Sequence, residues 1–235
     1  LSKLVRKKVQ ARFGGRLKAL VSGGAPLNPD IGLFFQSLGL CILQGYGQTE
    51  SGPVVSVNRP SNIKMDTVGP AMTDVTVKIA DDGEILVQGE LVMQGYWMND
   101  KATGECIQDG WLHTGDIGHM DEHARLLITD RKKDIIVNSG GDNIAPQKIE
   151  GMLTVEPEIA QAMVHGDKRP NIVALIVPDP VFLKEWAENG ESYTPESIIA
   201  GAEFQAVIAA AVERVNAKLN AIERERRFHV TAEPF

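Results

Sequence analysis

The run Gln44-Gly45-Tyr46-Gly47-Gln48-Thr49-Glu50-Ser51-Gly52 sets a hydroxyl beside a carboxylate in a glycine-rich stretch. Its glycines let backbone approach a bound molecule closely. The Thr49 hydroxyl suits a phosphate oxygen, Glu50 suits the Mg²⁺ that travels with phosphates, and the Tyr46 ring offers a flat face to a base. The alternative is a glycine-rich turn carrying an exposed glutamate. Neither GxGxxG nor GK[ST] occurs in it, so the dinucleotide fingerprint and the P-loop do not apply.

A second segment, Gly110-Trp111-Leu112-His113-Thr114-Gly115-Asp116, ends on a short carboxylate able to accept both hydroxyls of a ribose. A hairpin with residues 121–124 as its loop pairs Asp116 with Thr129 and leaves Arg131 within two residues of it. Acid and guanidinium would then grip a sugar diol, or simply pair with each other. His113 reads as a packed or surface histidine, and the five histidines show no metal-ligand spacing. In Ser22-Gly23-Gly24-Ala25-Pro26-Leu27 the small residues and Pro26 would form one wall of a base pocket through backbone groups, although a plain turn of Gly and Pro explains them too. Lys132-Lys133-Asp134 reads as a hinge or as a charged linker. Ser139, Gly140 and Gly141 would offer N–H groups to an anion or a pantetheine chain, or form a loop with an Asx cap. Lys3, Arg6, Lys7, Lys8 and Arg12 would touch an anionic membrane or a phosphorylated cofactor, or stay solvated.

The elements that must position these residues follow from periodicity. Helical spacing over Leu1–Phe13 is closed by Gly14-Gly15, and Leu17–Val21 reads as a strand. Asn28 caps a helix with Pro29 in its first turn, and Gly39 ends it before the buried strand Leu40–Leu43. Strand, turn, helix, strand implies a parallel sheet whose C-terminal strand ends carry the ligand loops. Between 66 and 130 the period becomes two. Val75, Val77 and Ile79 alternate with polar residues, Asp82-Gly83 turns the chain, Ile85–Val87 returns, and a second hairpin spans Gly115–Thr129. This stretch is expected to form a small antiparallel sheet or barrel. After a boundary near Arg131–Asp134 come a strand (Asp134–Val137), a helix starting near Pro146, and strands around Ala160–Val164 and Ile172–Val177. A long helix buries Phe204, Ile208, Ala211, Val215, Leu219 and Ile222. The run Glu223–Arg227 reads as a solvated charge cluster, and a last strand starts at Phe228.

Composition bounds what such a chain can be. With 235 residues, 43% hydrophobic and 23% charged, it is neither disordered nor collagen-like. A net charge of −7 argues against general nucleic-acid binding. Two cysteines make no disulfide framework and fit a reducing, cytoplasmic setting. No apolar run approaches the roughly 18 residues of a membrane helix.

Taken in order, SGGAPL, QGYGQTESG, GWLHTGDIG, DRKKDIIVNSGGDNIAP and the helix Gln147-Lys148-Ile149-Glu150 resemble the adenylate-forming acyl-CoA synthetases over nearly the whole chain. That family includes luciferases and peptide-synthetase adenylation domains, and the DRKKD…SGGDN wording is most similar to bacterial long-chain fatty-acid–CoA ligases. The resemblance implies a mixed α/β fold. Residues 1–130 would be the C-terminal part of a large AMP-binding domain, with 66–130 a β-rich, barrel-like subdomain. Residues 131–235 would be a small mobile α+β domain, cut before its end.

The resemblance also implies a two-step reaction: a fatty-acid carboxylate attacks the α-phosphate of ATP, and coenzyme A then displaces AMP. Gly24, Ala25 and Pro26 would line the adenine pocket and Tyr46 would stack on the base. Thr49 would bind phosphate and Glu50 hold Mg²⁺, while Gln44, Gly45 and Gly47 flank the acyl-adenylate. Asp116 and Arg131 would hold the ribose, Lys133 would be the hinge, and Ser139–Gly141 would line the thiol tunnel. The family's upstream phosphate loop and its lysine near the C-terminus have no counterpart here, so the 235 residues are expected not to adenylate alone. A fatty acyl-AMP ligase and a non-catalytic nucleotide-binding module are the competing readings. Partners are expected to be small molecules and not nucleic acid, with peripheral membrane contact and oligomerisation of the parent left open.

Overall fold

A computed structural model describes residues 3–188 and 194–235, so Leu1, the expected start of the first helix, lies outside the described residues. The chain divides into two compact units, Leu1–Lys132 and Lys133–Phe235.

The first unit begins with helix α1 (Lys3–Arg12), which buries no residue. Strand β1 (Leu20–Ser22), helix α2 (Pro29–Ser37) and strand β2 (Ile42–Tyr46) follow. Both strands are shifted toward the C-terminus relative to the sequence expectation. Asn28 accepts the Asp30 N–H and Pro29 opens α2, and Gly39 takes φ +83 where the chain turns back toward β2. Arg6 and Gln10 donate to the carbonyls of Ser37 and Gly39, which satisfies acceptors left over at the C-terminal end of α2. Strands β1 and β2 pair in parallel, Leu20 opposite Ile42 and Ser22 opposite Gln44. Strand β3 (Ser56–Val57) adds antiparallel on the other side of β2.

The remaining strands of this unit are β4 (Thr76–Ile79), β5 (Glu84–Gln88), β6 (Ile107–Gln108), β7 (Trp111–Met120) and β8 (Leu126–Arg131), with helix α3 (Asp100–Cys106) before β6. Their sheet runs β4-β5-β7-β6, with β8 also paired to β7. It is an open antiparallel sheet, so the barrel-like expectation is corrected: no pairing joins its first strand to its last among the described residues. Ile85, Val87, Leu112 and Leu126 pack with Val55 in its core.

The second unit holds the hairpin β9 (Ile136–Val137) and β10 (Asn143–Ile144), then α4 (Pro146–Leu153), β11 (Ile159–His165), β12 (Ile172–Pro178), α5 (Pro180–Glu188), α6 (Pro195–Ala200), α7 (Ala202–Asn216) and β13 (Glu225–Val230). β11 pairs antiparallel and β13 parallel to β12. α4 packs on β11 and α7, and α7 packs on β13, giving one helical layer on one sheet. Ile149, Leu153, Ile172, Ile176, Phe204 and Ile208 fill the space between them. The long helix stops at Asn216, so Leu219 is buried from the following turn and Ile222 is exposed. The last strand starts at Glu225, not Phe228. The charge run is corrected as well: Glu223 and Glu225 are buried, and Glu223 pairs with Lys148 at 2.7 Å.

Candidate nucleotide site

Because β1 and β2 are parallel and in register, Gly23–Pro26 and Gly45–Gly47 leave the sheet at the same edge. A Cβ on Gly23 would sit 3.4 Å from the Gly45 carbonyl oxygen, so the two loops touch. Gly24, Ala25 and Pro26 are exposed, and Gln44 is buried with its amide donating to the Met65 carbonyl. Gly47 admits no side chain, since a Cβ there would overlap the Pro53 carbonyl.

Tyr46 extends from the end of β2 and donates its hydroxyl to Asp116 Oδ2 at 2.6 Å. Burial, followed by the hydrogen bond to Asp116, pushes the phenol well above its ordinary range, so it stays a donor. Arg131 Nε lies 3.5 Å from Asp116 Oδ1. Asp116 is 7% exposed, whereas Arg131 is open to solvent.

The Asp116–Arg131 pairing corrects the hairpin arithmetic. The loop is one residue longer than expected, because Met120 pairs with Leu126. A register shift between Ile117 and Gly118 adds another residue, so Asp116 stands directly opposite Arg131 and not Thr129. On the other flank, Glu84 pairs with Ile117 but Leu86 pairs with His113, so β7 carries two surplus residues within 114–116. Bulges of this kind re-aim side chains next to functional sites.

Thr49 and Glu50 lie on a 3₁₀ turn (Thr49–Ser51) beyond β2. Ser51 closes it, accepting the Gln48 N–H and donating to the Gln48 carbonyl. Thr49 is exposed. Glu50 Oε1 accepts from Tyr96 at 2.8 Å, a bond that raises the Tyr96 phenol to about 12. Among the described residues no hydrogen bond takes Glu50 Oε2. One carboxylate oxygen beside an exposed hydroxyl fits Mg²⁺ carried on nucleotide phosphates, which uses few protein ligands, and not an all-protein cage. Among the described residues no group of three His, Cys, Asp or Glu gathers.

Sequence reasoning missed Glu84, hidden behind the turn signal Asp82-Gly83. It is 5% exposed and accepts from the Gly115 N–H at 2.9 Å and Lys132 Nζ at 3.0 Å, with His113 Nδ1 at 3.1 Å. Burial alone would raise its carboxyl, but these partners outweigh burial and hold it below its ordinary value. An acid immediately after the turn, opening the apolar run Ile85-Leu86-Val87, was the available signal.

In the second unit the glycine loop is closed on itself. The Ser139 N–H goes to the Arg169 carbonyl, Gly140 N–H to Asn138 Oδ1, and Gly141 N–H to the Asn138 carbonyl. Asn138 and the Arg169 carbonyl take these N–H groups, the arrangement of the alternative reading, a loop with an Asx cap. Lys133 is exposed and lines a groove of about 480 Å³ with Gln147, Glu150, His165 and Asp167. Glu150 accepts the Val164 N–H at 2.8 Å, and burial raises its carboxyl.

Fold and site together define a class. The AMP-binding enzyme family matches residues 1–97, and the AMP-binding enzyme C-terminal domain matches residues 133–232. The chain belongs to the AMP-binding enzymes. Among named relatives, it is 41% identical over 231 residues to the long-chain-fatty-acid–CoA ligase FadD15 of Mycobacterium bovis, covering 97% of this chain and 38% of that protein. It is 32% identical to the rat long-chain-fatty-acid–CoA ligase 5, over 99% of this chain and 37% of that one. Among solved structures, the adenylation domain of a Mycobacterium chelonae carboxylate reductase superposes with a TM-score of 0.77 at 26% identity, over 99% of this chain and 37% of that one. The Bacillus subtilis O-succinylbenzoate coenzyme A synthetase in complex with AMP shares the fold, with a TM-score of 0.71 at 23% identity, over 97% of this chain and 46% of that one. The chain thus spans less than half the length of these relatives. No helix among the described residues is long and apolar enough to cross a membrane.

Proposed function

We propose that the Tyr46–Asp116–Arg131 cluster holds the AMP moiety of a fatty acyl-adenylate, and that the whole protein is an AMP-forming long-chain fatty-acid–CoA ligase. The observation that carries this reading is the meeting of the three side chains. They come from sequence-distant segments, and strand irregularities on both flanks of Asp116 aim its carboxylate at them. A carboxylate and a guanidinium side by side suit a ribose diol, and a ring tethered by its hydroxyl keeps a fixed face for adenine.

In this reading Gly24, Ala25 and Pro26 wall the base, and Gln44, Gly45 and Gly47 flank the adenylate, where the glycines let the ligand approach the backbone. Thr49 meets a phosphate oxygen, and Glu50 would hold Mg²⁺, which supplies charge neutralisation on the phosphates when bound. ATP and the fatty acid would give acyl-AMP and pyrophosphate. The coenzyme A thiol would then displace AMP, with Lys133 as the hinge residue and Ser139, Gly140 and Gly141 beside the thiol path. Two free cysteines fit a cytosolic setting.

Titration calorimetry of the chain with AMP tests the reading. Binding should be detectable, and Asp116→Asn should weaken it about tenfold, as expected for loss of a charge-assisted hydrogen bond. Absence of binding at millimolar AMP, or equal affinity of the variant, refutes it.

A further inference from the structure

We propose that Glu84 is a positioning residue for the ribose site, a brace that fixes Asp116 and Arg131 from the residues immediately beside each. This rests on the ribose reading of that pair.

The geometry is reciprocal. Gly115 directly precedes Asp116, and its N–H donates to Glu84 Oε1 at 2.9 Å. Lys132 directly follows Arg131, and its ammonium donates to Glu84 Oε2 at 3.0 Å. The Lys132 N–H closes the frame on the Gly115 carbonyl at 2.7 Å. One buried carboxylate thus ties together the two strand segments that carry the acid and the guanidinium. Asp82 reinforces it, taking the same ammonium at 2.7 Å while its Oδ1 accepts the Glu84 N–H. His113 occupies the remaining approach to Oε2.

The brace answers a structural need. The two surplus residues of β7 lift Thr114–Asp116 out of register with β5, so Asp116 has a ladder partner on the β8 side but none on the β5 side. Thr114 is tied to the Ile85 carbonyl and accepts the Asp116 N–H. Gly115 stands at φ +72, a state glycine adopts without strain, and its N–H is held by Glu84. A buried carboxylate with three partners keeps its charge and its rotamer, so its neighbours inherit a fixed geometry.

The test compares AMP with 2′-deoxy-AMP by calorimetry on the full chain. A site that hydrogen-bonds a hydroxyl discriminates against the analogue lacking it. Glu84→Gln should weaken AMP about tenfold while leaving 2′-deoxy-AMP nearly unchanged, collapsing the ratio between them. Lys132→Met should move the ratio the same way by a smaller factor, and it decides the matter if Glu84→Gln fails to fold, since Lys132 sits at the solvent rim. Equal weakening of both nucleotides, or an unchanged ratio in folded variants, overturns the brace. If Asp116→Asn collapses the ratio and the brace variants do not, the brace alone falls. If Asp116→Asn leaves the ratio intact, or the wild-type chain binds neither nucleotide, the ribose reading falls and takes the brace with it.

Discussion

The two units solve packing differently. In Lys133–Phe235 a single amphipathic helix buries Phe204, Ile208, Ala211, Val212 and Val215 against a sheet that also takes α4, and Phe182, Trp186 and Phe204 stack within one corner. In Leu1–Lys132 the compact core belongs to the antiparallel sheet, while α1 buries nothing and Val21 on the edge strand β1 and Leu33 and Phe34 on α2 stand exposed. Apolar burial therefore concentrates in one unit, whereas the polar residues fit for nucleotide chemistry concentrate in the other. A core is built from many interchangeable contacts, but a site depends on a few atoms held in place by irregular backbone.

The largest expected effect tests the better-packed unit. Phe204→Ala should cost roughly 3–5 kcal/mol, the range for emptying a buried aromatic site. Trp186 fluorescence, read with Trp97 and Trp111 replaced by Phe, should show an earlier urea transition. A small change would mean that the corner is not the core of that unit.

Glu225 is the flaw in the same unit. Its main chain is bracketed by Asn216, yet neither carboxylate oxygen finds a hydrogen-bond partner among the described residues. Burial raises its pKa from 4.5 to about 7. A folded pKa above the unfolded one means that stability is fully present below about pH 4.5 and is lost as pH rises through 7. The loss amounts to about 3 kcal/mol. Glu225→Gln should flatten the urea midpoint between pH 5 and 8, and a slope equal to wild type would refute the assignment.

In the first unit Gly47→Ala should cost about 1–3 kcal/mol through forced overpacking against Pro53. It should also abolish AMP binding, as seen by calorimetry. The smallest effect belongs to the exposed face: Leu33→Gln should change stability by less than about 0.5 kcal/mol. A loss of several kcal/mol in thermal unfolding would show that α2 is covered in solution and would erase the contrast between the units.

Periodic elements were legible in the sequence. The helical spacing from Phe204, the alternation at Val75–Ile79 and the Asn28-Pro29 cap each appear in the structure near the residues that signalled them. What pattern reading missed depends on exceptions to pattern. Strand arithmetic assumes one partner per residue, so it misplaced Arg131 by two, one from a longer hairpin loop and one from the bulge at Ile117 and Gly118. Charge runs look solvated by composition, so buried Glu225 was invisible. Asn138 gathers the N–H groups of its own loop through a side chain whose rotamer no spacing reveals. Short helices such as α3 and α6 carry too few turns for a periodic signal.

The surplus in β7 has a consequence for how this protein can change over time. A ladder trimmed to regular pairing would gain sheet hydrogen bonds while losing the Thr114 and Gly115 contacts that hold the chain at Asp116. Selection for heat resistance alone would thus favour smoothing out the very kink on which the proposed nucleotide recognition depends, and a lineage keeping that proposed binding would have to go on tolerating the less regular strand.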